Sequence, residues 1–273
     1  MSLQIATIPC REDNYAFLLH DKDGGETALV DAPEAAPIIE VLESRGWTLT
    51  HILITHHHYD HIDGVEELRA KYGAKVVGAK ADADRLPALD FEVSEGDTIK
   101  IGENEGAVLD VSGHCANHLA FHFSRSFAVF TGDSLMALGC GRLFEGTPDQ
   151  MWESLSKIAA LPQMTIVYSG HEYTAANATF AYTIEPGNAA LKDRILQIIE
   201  ARAQKMPTVP SLLTDELATN PFLRPQSPEI RQRLGMESAT DTEVFAEIRR
   251  RKDNFKGTEM PDITEEPCNC AYE

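Results

Sequence analysis

The sequence predicts an α+β chain in which two β-sheets pack as a sandwich with helices outside them, followed by a second part made of helices alone. Up to Tyr173, short apolar runs rich in β-branched residues dominate, with helical segments interspersed. Beyond Tyr173 no strand-like alternation appears, which places a boundary near residue 174 and divides the chain into 1–174 and 175–273. All ten histidines lie at or before His171, so any histidine-built site belongs to the first part.

Taken in order, QIATIP, YAFLLH and ETALVDA read as short strands and PEAAPIIEVLESRG as a helix. HILIT, ending at Thr55, is short and β-branched, as a buried strand should be. Asp63-Gly64 signals a turn, GVEELRAKYG a short helix and AKVVGA another strand. A polar stretch runs to Gly106, followed by strands AVLDV, LAFHF and FAVFTGD. PDQMWESLSKIAAL has proline in its first turn, as helices often do, and TIVYSG closes the first part as a strand. Four helices then follow: TAANATFAYTIE, NAALKDRILQIIEARAQK, the proline-bounded SLLTDELATN, and DTEVFAEIRRRKDNF, with a polar tail from about Gly257. Dominant strands with interspersed helices favour a two-sheet sandwich over an alternating parallel fold.

The 273 residues suffice for one large domain or two ordinary ones. No run of 18 apolar residues exists and the N-terminus carries no basic-then-apolar leader, so no membrane partner is expected and the cytoplasm is the expected compartment. Five cysteines, Cys10, Cys115, Cys140, Cys268 and Cys270, form no disulfide framework, and the Cys268-x-Cys270 pair reads as polar tail. A net charge of −19 disfavours nucleic acid. That charge is uneven, with 12 Lys and Arg against 27 Asp and Glu before residue 175 and 12 against 16 after it. Arg249, Arg250, Arg251, Lys252 and Lys256 surround the lone Asp253, a local positive patch suited to a small anion. Arg249 and Lys252, three apart on a helix, share a face.

The segment THHHYDHIDG packs four potential metal ligands, His56, His58, Asp60 and His61, into six positions. On extended backbone His56 and His58 point to one side and His57 to the other. Asp60 and His61 sit at the following bend and can face a second cation. His114, Asp133 and His171 each follow an apolar strand and a glycine, where loops on a rigid scaffold carry chemistry. Seven ligands suffice for two metal ions, and imidazole with carboxylate suits zinc, iron or manganese. Asp31, at the end of ETALVD, reads equally as an acceptor for a ligating imidazole or as a strand-end turn residue. His118 and His122 read as supporting or structural.

These motifs, with SGH at His114, TGDSL at Asp133, GCGRLFEGT, SGHEYT, NPFLR and RRRKDNFK, resemble the metallo-β-lactamase superfamily, and within it the glyoxalase II branch. The resemblance implies a metallo-β-lactamase-like αββα sandwich with a C-terminal all-helical domain. It implies His56, His58 and His114 on one metal, Asp60, His61 and His171 on the other, and Asp133 bridging. Two divalent ions are implied, zinc first, with Asp60 and Asp133 in catalytic positions and a hydroxide as nucleophile. The implied substrate is a small-molecule glutathione thioester, cleaved in the second step of methylglyoxal removal and held by Arg142, Tyr173, Arg249 and Lys252. A monomer is expected. Cys115, Asn117, Phe144 and the VDAP turn depart from the branch's usual residues without touching a ligand. A single-iron glutathione persulfide dioxygenase and an inert metal-binding protein are the alternatives; the helical second part argues against the first, and the complete ligand set against the second.

Overall fold

The computed structural model describes residues 2–257, so the expected polar tail with Cys268 and Cys270 lies outside the described residues. Strands β1 (Gln4–Cys10), β2 (Asn14–His20) and β3 (Thr27–Val30) form an antiparallel meander. Helix α1 (Ala35–Arg45) then crosses to β4 (His51–Leu53), which pairs parallel with β3. After the single turn α2 (Tyr59–Ile62) and helix α3 (Val65–Tyr72), β5 (Lys75–Ala79) and β6 (Phe91–Val93) complete a six-stranded sheet in sequential order. Strands β2 and β3 are buried almost throughout because helices cover one face and the second sheet the other.

The second sheet begins with the antiparallel ribbon β7 (Thr98–Ile101), β8 (Asn104–Asp110), β9 (Leu119–Phe123) and β10 (Ala128–Gly132). The small hairpin β11 (Leu135–Met136) and β12 (Gly139–Cys140) follows, then helix α4 (Pro148–Ala159), started by a Thr147–Gln150 capping box with Pro148 at its first position. Strand β13 (Ile166–Ser169) returns parallel to β10. Helices α5 (Thr174–Ile184) and α6 (Ala189–Ala203) follow. Strand β14 (Ser211–Leu212), helices α7 (Leu213–Thr219) and α8 (Pro228–Leu234), and the capped helix α9 (Asp241–Asn254) end the described chain.

One apolar core lies between the sheets, around Phe17, Phe121, Phe123 and Phe130. Another joins the outer face of the second sheet to α4 and α9 through Met151, Leu155, Phe222, Phe245 and Ile248. The layers are therefore helix, sheet, sheet, helix, as expected. Four features differ from the sequence expectations. The polar stretch before Gly106 holds β6, β7 and the start of β8, where an edge strand such as β7 buries only alternate residues. The hairpin β11–β12 and helix α8 are additional elements. The second part is not purely helical, since β14 extends the second sheet beside β13. Its two residues are too few to display an alternation.

Candidate active site

The seven expected ligands meet at one end of the sandwich, although they come from four separate segments. His56 and His58 follow β4, and Asp60 and His61 lie in α2. His114 sits between β8 and β9, Asp133 follows β10, and His171 follows β13. The two sheets are tied together here by the Tyr15 amide donating to the Gly170 carbonyl at 2.8 Å and the Glu172 amide to Asp13 at 2.8 Å. Glycine precedes three of the expected ligands, and before Asp133 and His171 the reason is steric contact within the site itself. A Cβ at Gly170 would stand 2.7 Å from both Asp133 Oδ1 and His61 Cε1, and Gly132 turns the chain at φ +48°, where an added Cβ would meet Thr55 Oγ1 at 2.5 Å.

In the first cluster, His58 Nδ1 lies 3.1 Å from His56 Nε2 and 3.0 Å from His114 Nε2. The outer ring nitrogens are committed. His114 Nδ1 donates to the Arg142 carbonyl at 2.8 Å. The Thr55 hydroxyl gives its proton to Asp31 Oδ2 at 2.8 Å and so accepts from His56 Nδ1 at 2.9 Å. Two Nε2 lone pairs therefore converge on His58, and one proton there satisfies at most one of them. A cation satisfies all three nitrogens.

The second cluster brings His61 Nε2 and His171 Nε2 to 3.3 Å, with Asp60 Oδ2 3.4 Å from the latter and 3.8 Å from the former. Asp133 stands between the clusters, with Oδ2 3.5 Å from His114 Nε2 and 3.3 Å from His171 Nε2, and Oδ1 3.4 Å from His61 Nε2. Its Oδ1 is buried without a hydrogen-bond partner, an orphan acceptor of the kind a metal satisfies. Asp31 could join His56 and His61 as a third set by distance alone, yet its oxygens already accept from the Thr55 amide, the Thr55 hydroxyl and His61 Nδ1, each at 2.8 Å. It orients His61, the acceptor reading of the two open at the sequence level.

The electrostatics divide the clusters in the same way. Burial and neighbouring imidazoles hold His56 well below the ordinary histidine range, and burial lowers His58 and, despite Asp133, His114. These rings are neutral donors of lone pairs at neutral pH. Burial is the largest single influence on His61 and His171 and opposes their charge, but the carboxylates around them together outweigh it, Asp133 with Asp31 at His61 and Asp133 with Asp13 and Asp60 at His171, which rises to about 9. The second cluster thus attracts positive charge. Asp133 is held far below the usual carboxylate range, the imidazoles around it overcoming burial.

The remaining histidines lie outside both clusters. His57 turns away, as expected, to Asp82 Oδ2 at 3.0 Å. His118, neutral with burial pushing it down to about 3, accepts the Asp133 amide at 3.1 Å and so holds the bridging loop. Two supporting residues escaped the sequence reading. Asp13 accepts from His171 Nδ1 at 3.0 Å, and Asn14 Nδ2 donates to Asp60 Oδ2 at 3.1 Å. An Asp-Asn pair between strands reads as a turn, and no local signal links it to a histidine 158 residues away.

Above the clusters opens a cleft of about 550 Å³ that collects all four expected substrate residues, Arg142, Tyr173, Arg249 and Lys252. Tyr173 stacks on His171 with centroids 4.6 Å apart, and Phe144 presents an edge to His58 and His114. The basic run is not a free positive patch, however. Arg250 and Arg251 both pair with Glu247, and Arg249 pairs with Asp253 at 2.7 Å while donating to the Cys140 carbonyl at 2.9 Å. Arg249 is only 5% exposed. Lys252 donates to the Ala176 carbonyl at 3.0 Å above the rings of Phe180 and Phe255. Burial, with Arg249 beside it, lowers Lys252 to about 8.

The metallo-beta-lactamase superfamily model matches residues 12–171, and that of the hydroxyacylglutathione hydrolase C-terminus matches residues 172–255. A hydroxyacylglutathione hydrolase of Ruegeria pomeroyi is 61% identical over 93% of this chain and 100% of its own length. One from Jannaschia sp. is 62% identical over 92% and 98%. Among solved structures, ETHE1 from Myxococcus xanthus superimposes with a TM-score of 0.61 at 22% identity, covering 92% of this chain and 97% of that one. The B3 metallo-beta-lactamase BLEG-1 gives 0.63 at 21% identity over 81% and 100%. At these identities the structural matches establish the fold.

Proposed function

The chain belongs to the hydroxyacylglutathione hydrolase family of the metallo-β-lactamase superfamily, and on that premise we propose how its cleft works. It is a metal-dependent hydrolase that cleaves the thioester of an S-2-hydroxyacylglutathione to glutathione and a 2-hydroxy acid. The observation that carries the site assignment is the meeting, in one cleft, of the histidine–aspartate clusters with Lys252 and Arg249 of α9.

The donor set fits two cations, with His56, His58 and His114 to hold one, Asp60, His61 and His171 the other, and Asp133 between them. Five imidazoles and two carboxylates favour zinc, with iron or manganese also accommodated. When bound, such ions supply Lewis acidity toward the thioester carbonyl and the means to ionise water near neutral pH. The protein's own groups do the rest. Asp31, Asp13 and the Arg142 carbonyl fix three ligand rings through their outer nitrogens, so the reacting geometry needs little rearrangement. Lys252 and Arg142 attract the carboxylates of the glutathionyl group, and Phe144 and Tyr173 shield the floor from bulk water. The leaving thiolate has an ordinary pKa of about 8.5, so its departure needs no dedicated acid.

Cys10, Cys115 and Cys140 are free and buried, which supports the cytoplasmic reading. No helix among the described residues is long and apolar enough to cross a membrane.

Metal analysis of the purified protein, paired with an assay of lactoylglutathione hydrolysis, tests the proposal. Two metals per chain and thiol release are expected. A single iron with persulfide-dependent oxygen uptake would overturn it in favour of the dioxygenase alternative, which the presence of the C-terminal helical segment already disfavours.

A further inference from the structure

His57 is the one histidine of the THHHYDHIDG motif that the site leaves unused, yet its ring is engaged. Its Nδ1 lies 3.0 Å from Asp82 Oδ2, and its Nε2 lies 3.6 Å from Glu145 Oε1. Asp82, 3% exposed, ends the short turn Lys80–Asp82 that follows β5. A buried carboxylate is costly unless it is paired, and Asp82 is paired on both sides. Its other oxygen accepts from Arg85 Nε at 2.6 Å. Arg85 Nη1 in turn donates to Glu145 Oε1 at 2.6 Å, and the second Glu145 oxygen accepts the Ala116 amide at 2.8 Å. A continuous polar strut thus runs from the histidine motif and the end of β5 to the loop between β12 and α4.

That loop carries Arg142 and Phe144, both of which line the cleft. Its main chain is tied by the Phe144 amide to the His114 carbonyl at 3.0 Å and by the Gly146 amide to the Gly113 carbonyl at 3.2 Å. Both bonds reach the segment that bears His114. Glu145 adds a hold on the first sheet, through a guanidinium whose planar fork fixes direction as well as distance. We propose that Arg85 and Glu145 are positioning residues for the thiol half of the substrate, setting the 142–147 loop relative to the histidine motif, with Asp82 and His57 as the anchored end of the strut. The proposal rests on the thioesterase reading above. Neither Arg85 nor Glu145 lines the cleft, so both act through Arg142 and Phe144. Without the strut the loop keeps its bonds to Gly113 and His114, and the histidine–aspartate clusters stay in place. The seat of the glutathionyl group is what loosens.

The test compares the wild type with Glu145→Ala, Glu145→Gln, Arg85→Met and the double variant Arg85→Met/Glu145→Ala, with metal content measured for each. Two substrates are used, S-lactoylglutathione and the lactoyl thioester of N-acetylcysteamine, which carries neither glutathionyl carboxylate. Glu145→Ala and Arg85→Met are each expected to raise KM for lactoylglutathione about fivefold, with kcat, metal content and kcat/KM for the truncated thioester within about twofold of the wild type. Glu145→Gln, whose amide oxygen can still accept from Arg85 or Ala116, should recover most of the loss. The double variant should be no worse than either single one, because both cut the same strut. A KM that either single variant leaves unchanged overturns the proposal, as does an equal loss on the two thioesters or a loss accompanied by metal release. A wild type that hydrolyses neither thioester would instead overturn the parent reading.

Discussion

At the scale of single residues, the site is a proton-accounting problem solved by the side chains behind the ligands. Asp31 occupies a left-handed backbone conformation at φ +55° and accepts three hydrogen bonds, two from Thr55 and one from His61. Asp31→Ala removes the acceptor that fixes the His61 ring and, through Thr55, the one that fixes His56. Chelator competition should show metal binding about 10–100-fold weaker, the loss typical of such supporting partners. Affinity equal to the wild type would refute the role. The seven residues proposed as ligands could be picked out of the sequence because each is a coordinating residue type at a strand end or in one compact motif. Asp13 and Asn14 could not be, because what makes them supporting residues is their proximity to His171 and Asp60, which only the assembled sheets create.

At the scale of elements, α9 shows how a sequence pattern can identify a location correctly and its charge incorrectly. Arg249 and Lys252 do share a face and do reach the cleft, but Glu247 and Asp253 neutralise much of the run. Lys252 has no carboxylate partner among the ion pairs described, and burial has brought its pKa down to about 8. Its charge is present below that value and lost above it, so KM for a glutathione thioester should rise as pH climbs through about 8, and Lys252→Arg should flatten the rise. A wild-type KM constant from pH 7 to about 10 would refute a charge role, given a lysine pKa in that interval. Arg249→Ala is a less clean test, because the same side chain anchors β12 and α9.

The end of α5 offers an independent measurement. Glu185, 2% exposed, accepts from Arg224 at 2.8 and 2.9 Å, from Asn188 at 2.8 Å and from Ser227. Burial alone would raise its pKa, but these partners lower it. A depressed folded pKa contributes stability above the ordinary glutamate value that is lost as pH falls through and below it. Glu185→Ala should therefore cost about 3–5 kcal/mol near neutrality by leaving Arg224 without its partner, and less in acid. Denaturant midpoints at pH 7 and pH 4 check both the size and the trend.

At the scale of the whole molecule, the expected division near residue 174 describes the chain's chemistry better than its mechanics. Strand β14 pairs with β13, and Phe222, Val244, Phe245 and Ile248 share a core with Met151 and Leu155 of α4 and Val167 of β13. Trp152 and Phe245 lie 6.0 Å apart across the α4–α9 contact. The change from strands to helices was legible in the hydrophobic period, but the interlock was not, since apolar residues on two helices do not declare that they face each other. A helical part that contributes half of a shared core should not melt apart from the sandwich, although α5 and α6 also hold a smaller cluster of their own around Leu191, Ile195 and Ile198. Calorimetry of the metal-loaded protein should accordingly give one transition, because the ligands also span both sheets. Removing the metal should lower its midpoint, as loss of any ligand bound only by the folded state does, the stability lost being about 2.7 kcal/mol for a site held at 100 times its Kd. Two resolved transitions, with only the one assigned to residues 1–174 responding to chelator, would mean that the helices merely rest on the sandwich. The cleft would then be an interface between independent bodies rather than a pocket fixed by one core.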